Sequence, residues 1–575
     1  MQVTISNLTL ILIFFSVHVL HAQNNDTRDP IVSVSEGKLQ GRKLKSGVVV
    51  FKGVPYAESP VADLRWKAPV PKARWSGVRS ALDFGPRPMQ KSNIMYEFRS
   101  KKASEDCLYL NVWTPKIDPT SLKPVYVFIH GGSFVRGDGS QPAYDGESMA
   151  KAGVVYVSIN YRLGIFGFMA HPELSRETGH GSGNYGLLDQ LAALKWIKEN
   201  ISSFGGDLNA VTIGGESVGA QSVSAHMVSP LSKNLFSKVI AESGSIVDNR
   251  TVINSLENAE NLGLAVSQAA KGSNIASLRA LSASKLLKIG TEGNPRRFIP
   301  TIDGYFFTEN PYLSFAKGKQ LPVPLLLGWN ANEVPSFALF RLRRATKDNL
   351  NKAIVRLYGT KADKIATLYP IGESKKEIKA AGAEVISDFA INYASWNLAD
   401  RHASANQAPV YRYLFAHPHP GLSDYQLDRG NIFQIFLKKM INKIIKGSAF
   451  HAAEIEYALG NLTVQPNFDW GDDDFKVSAQ LQSYFVNFIK TGNPNGNMLT
   501  GTELDALVLN GREENEMVSN NKELKKTALA KWPKFVAGED GQYLRVGKIS
   551  YAEKDSLRTR FINLRRIAGS TDSKD

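Results

Sequence analysis

The sequence has 575 residues, 43% of them apolar and 21% charged, with a formal charge of +15 and one cysteine. That mixture excludes a disordered, collagenous or coiled-coil chain. A lone thiol excludes both an internal disulfide framework and any cysteine-based zinc or iron–sulfur site. The positive charge is dispersed, as at Arg341, Arg343, Arg344 and Lys347 and again at Lys522, Lys525 and Lys526. No motif organises it for a nucleic acid, so it reads as a solvated basic surface.

The chain opens with a run of about a dozen mostly apolar residues, Leu8 to Val19, ending at Leu20-His21-Ala22-Gln23. Such a run is too short to span a bilayer, which takes roughly 20 residues. Residues 1–22 are therefore expected to be a signal peptide, with an uncleaved anchor as the alternative, and residues 23–575 to form one large domain. Export and a single thiol together predict a secreted or periplasmic protein that relies on its core, without stable membrane insertion once the signal is removed.

Short runs of β-branched and aromatic residues then recur, each followed by a turn. They are Val125–Ile129, Val154–Ile159, Val211–Ile213, Lys238–Ala241, Val323–Leu327 and Val410–Phe415. Near-continuous apolar runs of this length fit strands buried on both faces, as in a parallel sheet. Between them Leu187 to Ile201 carries apolar residues at helical spacing. The alternation predicts an α/β fold: a central, mostly parallel sheet flanked by helices. In such sheets the chemistry collects beyond the carboxyl ends of the strands.

The loop after Ile129 reads His130-Gly131-Gly132-Ser133-Phe134. The turn after Ile213 reads Gly214-Gly215-Glu216-Ser217-Val218-Gly219-Ala220 and leads into a helix-compatible stretch. Gly-x-Ser-x-Gly between a buried strand and a helix is the pattern of a nucleophile elbow, in which glycines permit the sharp turn that exposes the hydroxyl. The backbone N–H groups of Gly131, Gly132 and Ala220 could stabilise the oxyanion that acyl transfer develops.

Serine becomes a useful nucleophile only when a histidine takes its proton and a carboxylate fixes that histidine's tautomer. In this fold the order along the chain is Ser, acid, His. Glu333, in Gly328-Trp329-Asn330-Ala331-Asn332-Glu333, lies just past a buried strand and is the acid candidate; an exposed loop carboxylate is the plainer reading. Of the ten histidines, His417, His419 and His451 remain as the base, and the residues alone leave that choice open. Asn431 to Lys446 is a basic amphipathic helix candidate, with Phe433, Phe436, Leu437, Met440, Ile441 and Ile444 on one face and Lys438, Lys439, Lys443 and Lys446 on the other. That face is expected to pack on the domain; a cap at the substrate entrance or a contact with lipid is the alternative.

With these blocks in hand, the chain resembles the type-B carboxylesterase and cholinesterase family of α/β-hydrolases from about Val32 to Phe535. The resemblance rests on Glu105-Asp106-Cys107-Leu108-Tyr109-Leu110-Asn111-Val112, His130–Phe134, Asn160–Gly164, Phe204–Asp207, Gly215–Gly219, Gly328–Glu333, Gly447–Glu454 and Thr491–Asn495. It implies the α/β-hydrolase fold and hydrolysis of small-molecule carboxylic esters without metal or cofactor. It implies Ser217 as nucleophile, Glu333 as orienting acid, His451 as base in preference to His417 and His419, and Gly131, Gly132 and Ala220 as oxyanion hole. Arg65 with Glu105 and Arg162 with Asp189 look like the family's buried structural ion pairs. A lipase for longer acyl chains is the nearest alternative; a non-catalytic adhesion or scaffold protein of the same fold is the alternative from another class.

Two departures stand out. Pro88 occupies the place where family members commonly carry the partner of Cys107, so Cys107 is expected to be a free, buried thiol and the loop from Met89 to Ser104 to lack its staple and move more. A polar, charged insert at about 510–531 has no assigned role.

Overall fold

The computed structural model describes residues 29–91, 97–248, 253–272, 274–341, 343–495, 542–546, 551–554 and 558–569. The signal peptide expected at 1–22 and the insert at 510–531 lie outside the described residues. Among those described, one eleven-stranded sheet organises the chain. Its strands are β1 (Arg42–Lys43), β2 (Val49–Pro55), β3 (Tyr109–Thr114), β4 (Lys123–Ile129), β5 (Val155–Ile159), β6 (Gly206–Glu216), β7 (Lys238–Glu242), β8 (Leu325–Asn330), β9 (Val410–Phe415), β10 (Gln542–Val546) and β11 (Tyr551–Lys554). The spatial order is β1-β2-β3-β5-β4-β6-β7-β8-β9-β10-β11. From β5 to β10 every pairing is parallel, while β1, β2, β3 and β11 pair antiparallel at the two edges.

Strand period places alternate residues on opposite faces, and the core divides accordingly. Val125, Val127 and Ile129 of β4, Val155, Val157 and Ile159 of β5, and Leu325 and Leu327 of β8 point into one cluster. There they meet Leu187, Leu191 and Leu194 of helix α1 (Tyr185–Asn200) and Val223 of α2 (Val218–Val228). Their neighbours Tyr126, Phe128, Tyr156 and Leu326 point the other way, onto Leu481, Phe485 and Phe488 of α6 (Asp472–Thr491). A third cluster gathers Trp329 with Leu339 and Phe340 of α3 (Ser336–Phe340), Trp396 of α4 (Tyr393–Ala405) and Phe561. Continuous apolar strands are thus explained by helices covering both faces. Among the described residues no helix is long and apolar enough to cross a membrane.

The strand after β7 begins later than its apolar run suggests, at Leu325, because Pro324 has no N–H to give a ladder. A larger difference concerns helix α5 (Ile432–Ile445), whose apolar face does not pack as one surface. Leu437, Ile441 and Ile444 turn inward, whereas Phe433, Phe436 and Met440 stand in solvent. The period fixes which residues share a face; it says nothing about what, if anything, covers that face.

Cys107 is buried and free, and burial raises its thiol well above the usual range. Among the described residues of the loop from Met89 to Ser104, polar contacts serve as a staple. Arg99 pairs with Asp145 at 2.6 Å and donates to the Ser140 carbonyl at 2.8 Å. Ser100 donates to Asp138 at 2.6 Å, and Gln90 both donates to and accepts from the backbone of Gly137. The greater movement expected of an unstapled loop is therefore opposed at both of its ends.

Candidate active site

Ser217 sits at the tip between β6 and α2 with φ 58° and ψ −120°, a conformation that a side chain rarely adopts. Its own N–H donates to the Glu242 carbonyl at 2.8 Å, which ties the turn to the end of β7. The flanking glycines are steric necessities. A Cβ on Gly215 would lie 2.5 Å from the Ile129 carbonyl oxygen, and one on Gly219 would lie 2.1 Å from it. The elbow therefore folds directly against the carboxyl end of β4.

From that end runs the His130–Phe134 strip. A Cβ on Gly131 would come within 3.1 Å of the Ser217 Cβ, so the strip lies alongside the serine. Gly132 has φ +103°, and Val135 and Arg136 both donate to its carbonyl, closing the turn. His130 does not face the serine chemistry. Its ring stacks on Tyr161 at 4.5 Å, Tyr161 donates to its carbonyl at 2.8 Å, and burial lowers the imidazole to about 4.

Glu333 follows β8, and its buried carboxyl receives the Asn330 N–H at 2.6 Å. His451 arrives on the segment after α5. That segment is fastened to the acid loop, because Asn332 donates to the Ala449 carbonyl at 3.0 Å and receives the Ala449 N–H on its side chain at 3.1 Å. The result is a continuous chain of contacts: Ser217 Oγ to His451 Nε2 at 3.0 Å, and His451 Nδ1 to Glu333 Oε2 at 2.7 Å.

The other histidines are engaged elsewhere. His417 pairs with Asp474 at 2.8 Å. His419 accepts the Gly421 N–H at 3.0 Å inside a box of Phe450, Phe468 and Trp470, where burial lowers it to about 4. Arg65 holds Glu105 through two contacts of 2.5 and 2.6 Å and caps the carbonyls of Leu278, Arg279 and Leu281. Arg162 grips buried Asp189 at 2.7 and 2.8 Å. Both arginines hold loops together.

Residue patterns did not single out the carboxyl groups behind the imidazole. Glu216, the variable residue of the elbow, is buried with Oε1 3.1 Å from His451 Nε2. Glu454 accepts from Ser243 at 2.9 Å and from the Asn330 amide, whose N–H also reaches the Phe450 carbonyl at 2.7 Å. Burial pushes Glu216 up to about 8 and Glu454 to about 7, and holds Glu242 well above the carboxylate range. Burial lowers His451, but the Glu216 and Glu333 carboxylates outweigh it and raise the imidazole to about 10. The only signal in the sequence was position: Glu216 precedes the serine, and Glu454 stands one helical turn after the histidine.

Comparison with known proteins agrees with the fold around this site. A model described as the carboxylesterase family matches residues 28–564. The fumonisin B1 esterase of Sphingopyxis macrogoltabida is 34% identical over 486 residues, covering 81% of this chain and 83% of that protein. The para-nitrobenzyl esterase of Bacillus subtilis is 35% identical over 477 residues, covering 81% of this chain and 90% of that one. A solved para-nitrobenzyl esterase structure superposes with a TM-score of 0.71 at 31% identity, over 93% of this chain and all of the other.

Proposed function

The chain belongs to the carboxylesterase family and is a carboxylic ester hydrolase; from that premise we propose that Ser217 is its nucleophile, His451 its general base and Glu333 the acid that orients the base. The single observation that carries this reading is the 3.0 Å approach of His451 Nε2 to Ser217 Oγ, backed by the 2.7 Å contact to Glu333. Ser217 Oγ attacks the ester carbonyl as its proton passes to Nε2. The oxyanion is stabilised by backbone N–H groups of the Gly131–Gly132 strip beside the serine and by that of Val218, the residue directly after the nucleophile, in place of Ala220 three residues on. His451 then protonates the leaving alcohol, and water repeats the sequence to release the acid.

The base must be neutral to accept that proton. Burial lowers the imidazole and raises the Glu216 carboxyl, favouring the neutral forms of both, while their 3.1 Å contact favours the charged pair and so opposes proton uptake by His451. Glu333, 2.7 Å from Nδ1, fixes the tautomer with the proton there and leaves Nε2 turned to the serine.

The direct test is hydrolysis of a chain-length series of nitrophenyl esters by the wild type and by Ser217→Ala. The expected result is a fall in kcat of about 10⁴-fold or more with the fold retained. Wild-type turnover surviving in the variant would reject the assignment of the nucleophile. We also infer that the protein works outside the cytoplasm, supported by the apolar run Leu8–Val19 and the single thiol. Mass spectrometry of the exported protein would show a new amino terminus after Ala22; an intact Met1 would refute processing there.

A further inference from the structure

Helix α5 is held by its inner side. Asn431 caps its start by accepting the Gln434 N–H, Lys438 donates to the carbonyls of Gln426 and Arg429 at 3.0 and 3.1 Å, and Asn442 receives the Leu422 N–H at 2.8 Å. Ile445 is buried at its end. These anchors leave one stripe outward. Ile432, Phe433, Phe436 and Met440 are 88, 70, 65 and 46% exposed, and the nearby Tyr425 is 67% exposed. Spacings of three, four and seven put them on one side of the helix. Four large apolar side chains displayed side by side form a surface that a soluble monomer seldom leaves uncovered.

The same stripe continues into charge. Lys439, Lys443 and Lys446 are exposed along its carboxyl half. Lys439 contacts Asp428 at 3.1 Å at the surface, and such an exposed pair is weak. α5 follows β9, and the segment that bears His451 begins directly after α5.

We propose that this face docks onto an anionic lipid surface, with Ile432, Phe433, Phe436 and Met440 entering the interface and the lysines meeting lipid phosphates. An apolar stripe bordered by basic residues has the chemistry of an interfacial helix. A second copy of the chain complements it poorly, since two such faces would bring lysines against each other. Docked in this way, the protein is oriented with the His451 segment, six residues beyond the end of α5, near the lipid, where esters of low solubility collect. The use of that orientation rests on the reading of His451 as part of the reacting centre; the docking itself does not.

Co-sedimentation of the purified full chain with vesicles tests docking without reference to catalysis. Mixed phosphatidylcholine–phosphatidylglycerol vesicles should retain the protein, and pure phosphatidylcholine vesicles should retain much less. Phe433→Ser with Phe436→Ser should lower the partition coefficient by about tenfold or more. Lys439→Gln and Lys443→Gln should each lower it by about fivefold on mixed vesicles only, an effect that fades in high salt. Hydrolysis of a water-soluble nitrophenyl ester should be unchanged in all variants, which certifies their folding. Equal retention on both vesicle types would overturn the proposal, as would variants that bind like the wild type. So would a concentration-dependent dimer, seen by ultracentrifugation, that the serine substitutions abolish while vesicle binding stays absent.

Discussion

Glu216 shows how much a single side chain can contribute from a position the elbow pattern leaves variable. Its Oε1 stands 3.1 Å from His451 Nε2, and a Cβ on Gly131 would come within 2.7 Å of its Oε2. An anion there favours the protonated imidazole; a neutral group there does not. Replacing Glu216 with Gln removes the anion at every pH, so His451 gives up its proton more easily. The acid limb of kcat/KM against pH should move to lower pH in Glu216→Gln, and a limb that stays in place or moves upward would contradict the coupling. Stability carries the same sign. The folded value of about 8 lies above the ordinary carboxyl value of 4.5, so Glu216's contribution is fully present below about 4.5 and is lost as pH rises through 8. The Gln variant lacks that loss, and its melting temperature should gain on the wild type across the window. None of this could be seen in the sequence, where Glu216 is a polar residue in a turn and its burial depends on β4, β7 and the His451 segment closing around it.

At the scale of elements, the legible features were those set by local pattern. The runs at Val125–Ile129, Val154–Ile159 and Val410–Phe415 became β4, β5 and β9 almost residue for residue, because a strand covered on both faces must be apolar throughout. Ser217 stood out because elbow glycines leave a mark in sequence, and Glu333 because it follows a buried strand; His451 is separated from His417 and His419 only by the resemblance to the family. The exposed stripe of α5 did not stand out, since amphipathicity describes a helix and not its neighbours. Packing between elements makes a further prediction at the elbow. Gly219→Ala would drive a Cβ against the Ile129 carbonyl, and relieving that clash displaces the end of β4 from which the Gly131–Gly132 strip departs. Overpacking of this kind costs about 1–3 kcal/mol. A lower urea midpoint should accompany a drop in kcat; an unaltered midpoint would mean that the elbow tolerates more than its geometry indicates.

For the whole molecule, cohesion comes from burial and ion pairs rather than covalent links. With Cys107 buried and free and no second cysteine in the chain, dithiothreitol should leave the melting temperature unchanged. Removing a polar staple should not be so harmless. Arg99→Ala loses the pair with Asp145 and the bond to Ser140, and should cost about 1–2 kcal/mol and speed protease cleavage between residues 89 and 104. Deeper in the chain, Arg162→Leu leaves Asp189 charged and unpaired in the core, an outcome worth about 3–5 kcal/mol of destabilisation and measurable by urea unfolding.

The contact between Ser217 and His451 joins positions 234 residues apart, and Glu333 comes from a separate crossover between them. With Ser217, Glu333 and His451 as the proposed reacting groups, a chain still emerging from a ribosome or threading through a pore carries no assembled centre, however well its first strands have paired. Esters in the compartment where it is made are safe from it until residue 451 has arrived and docked. Turnover thus reports completed folding, and fragments that stop short of that histidine should be inert even where they are compact.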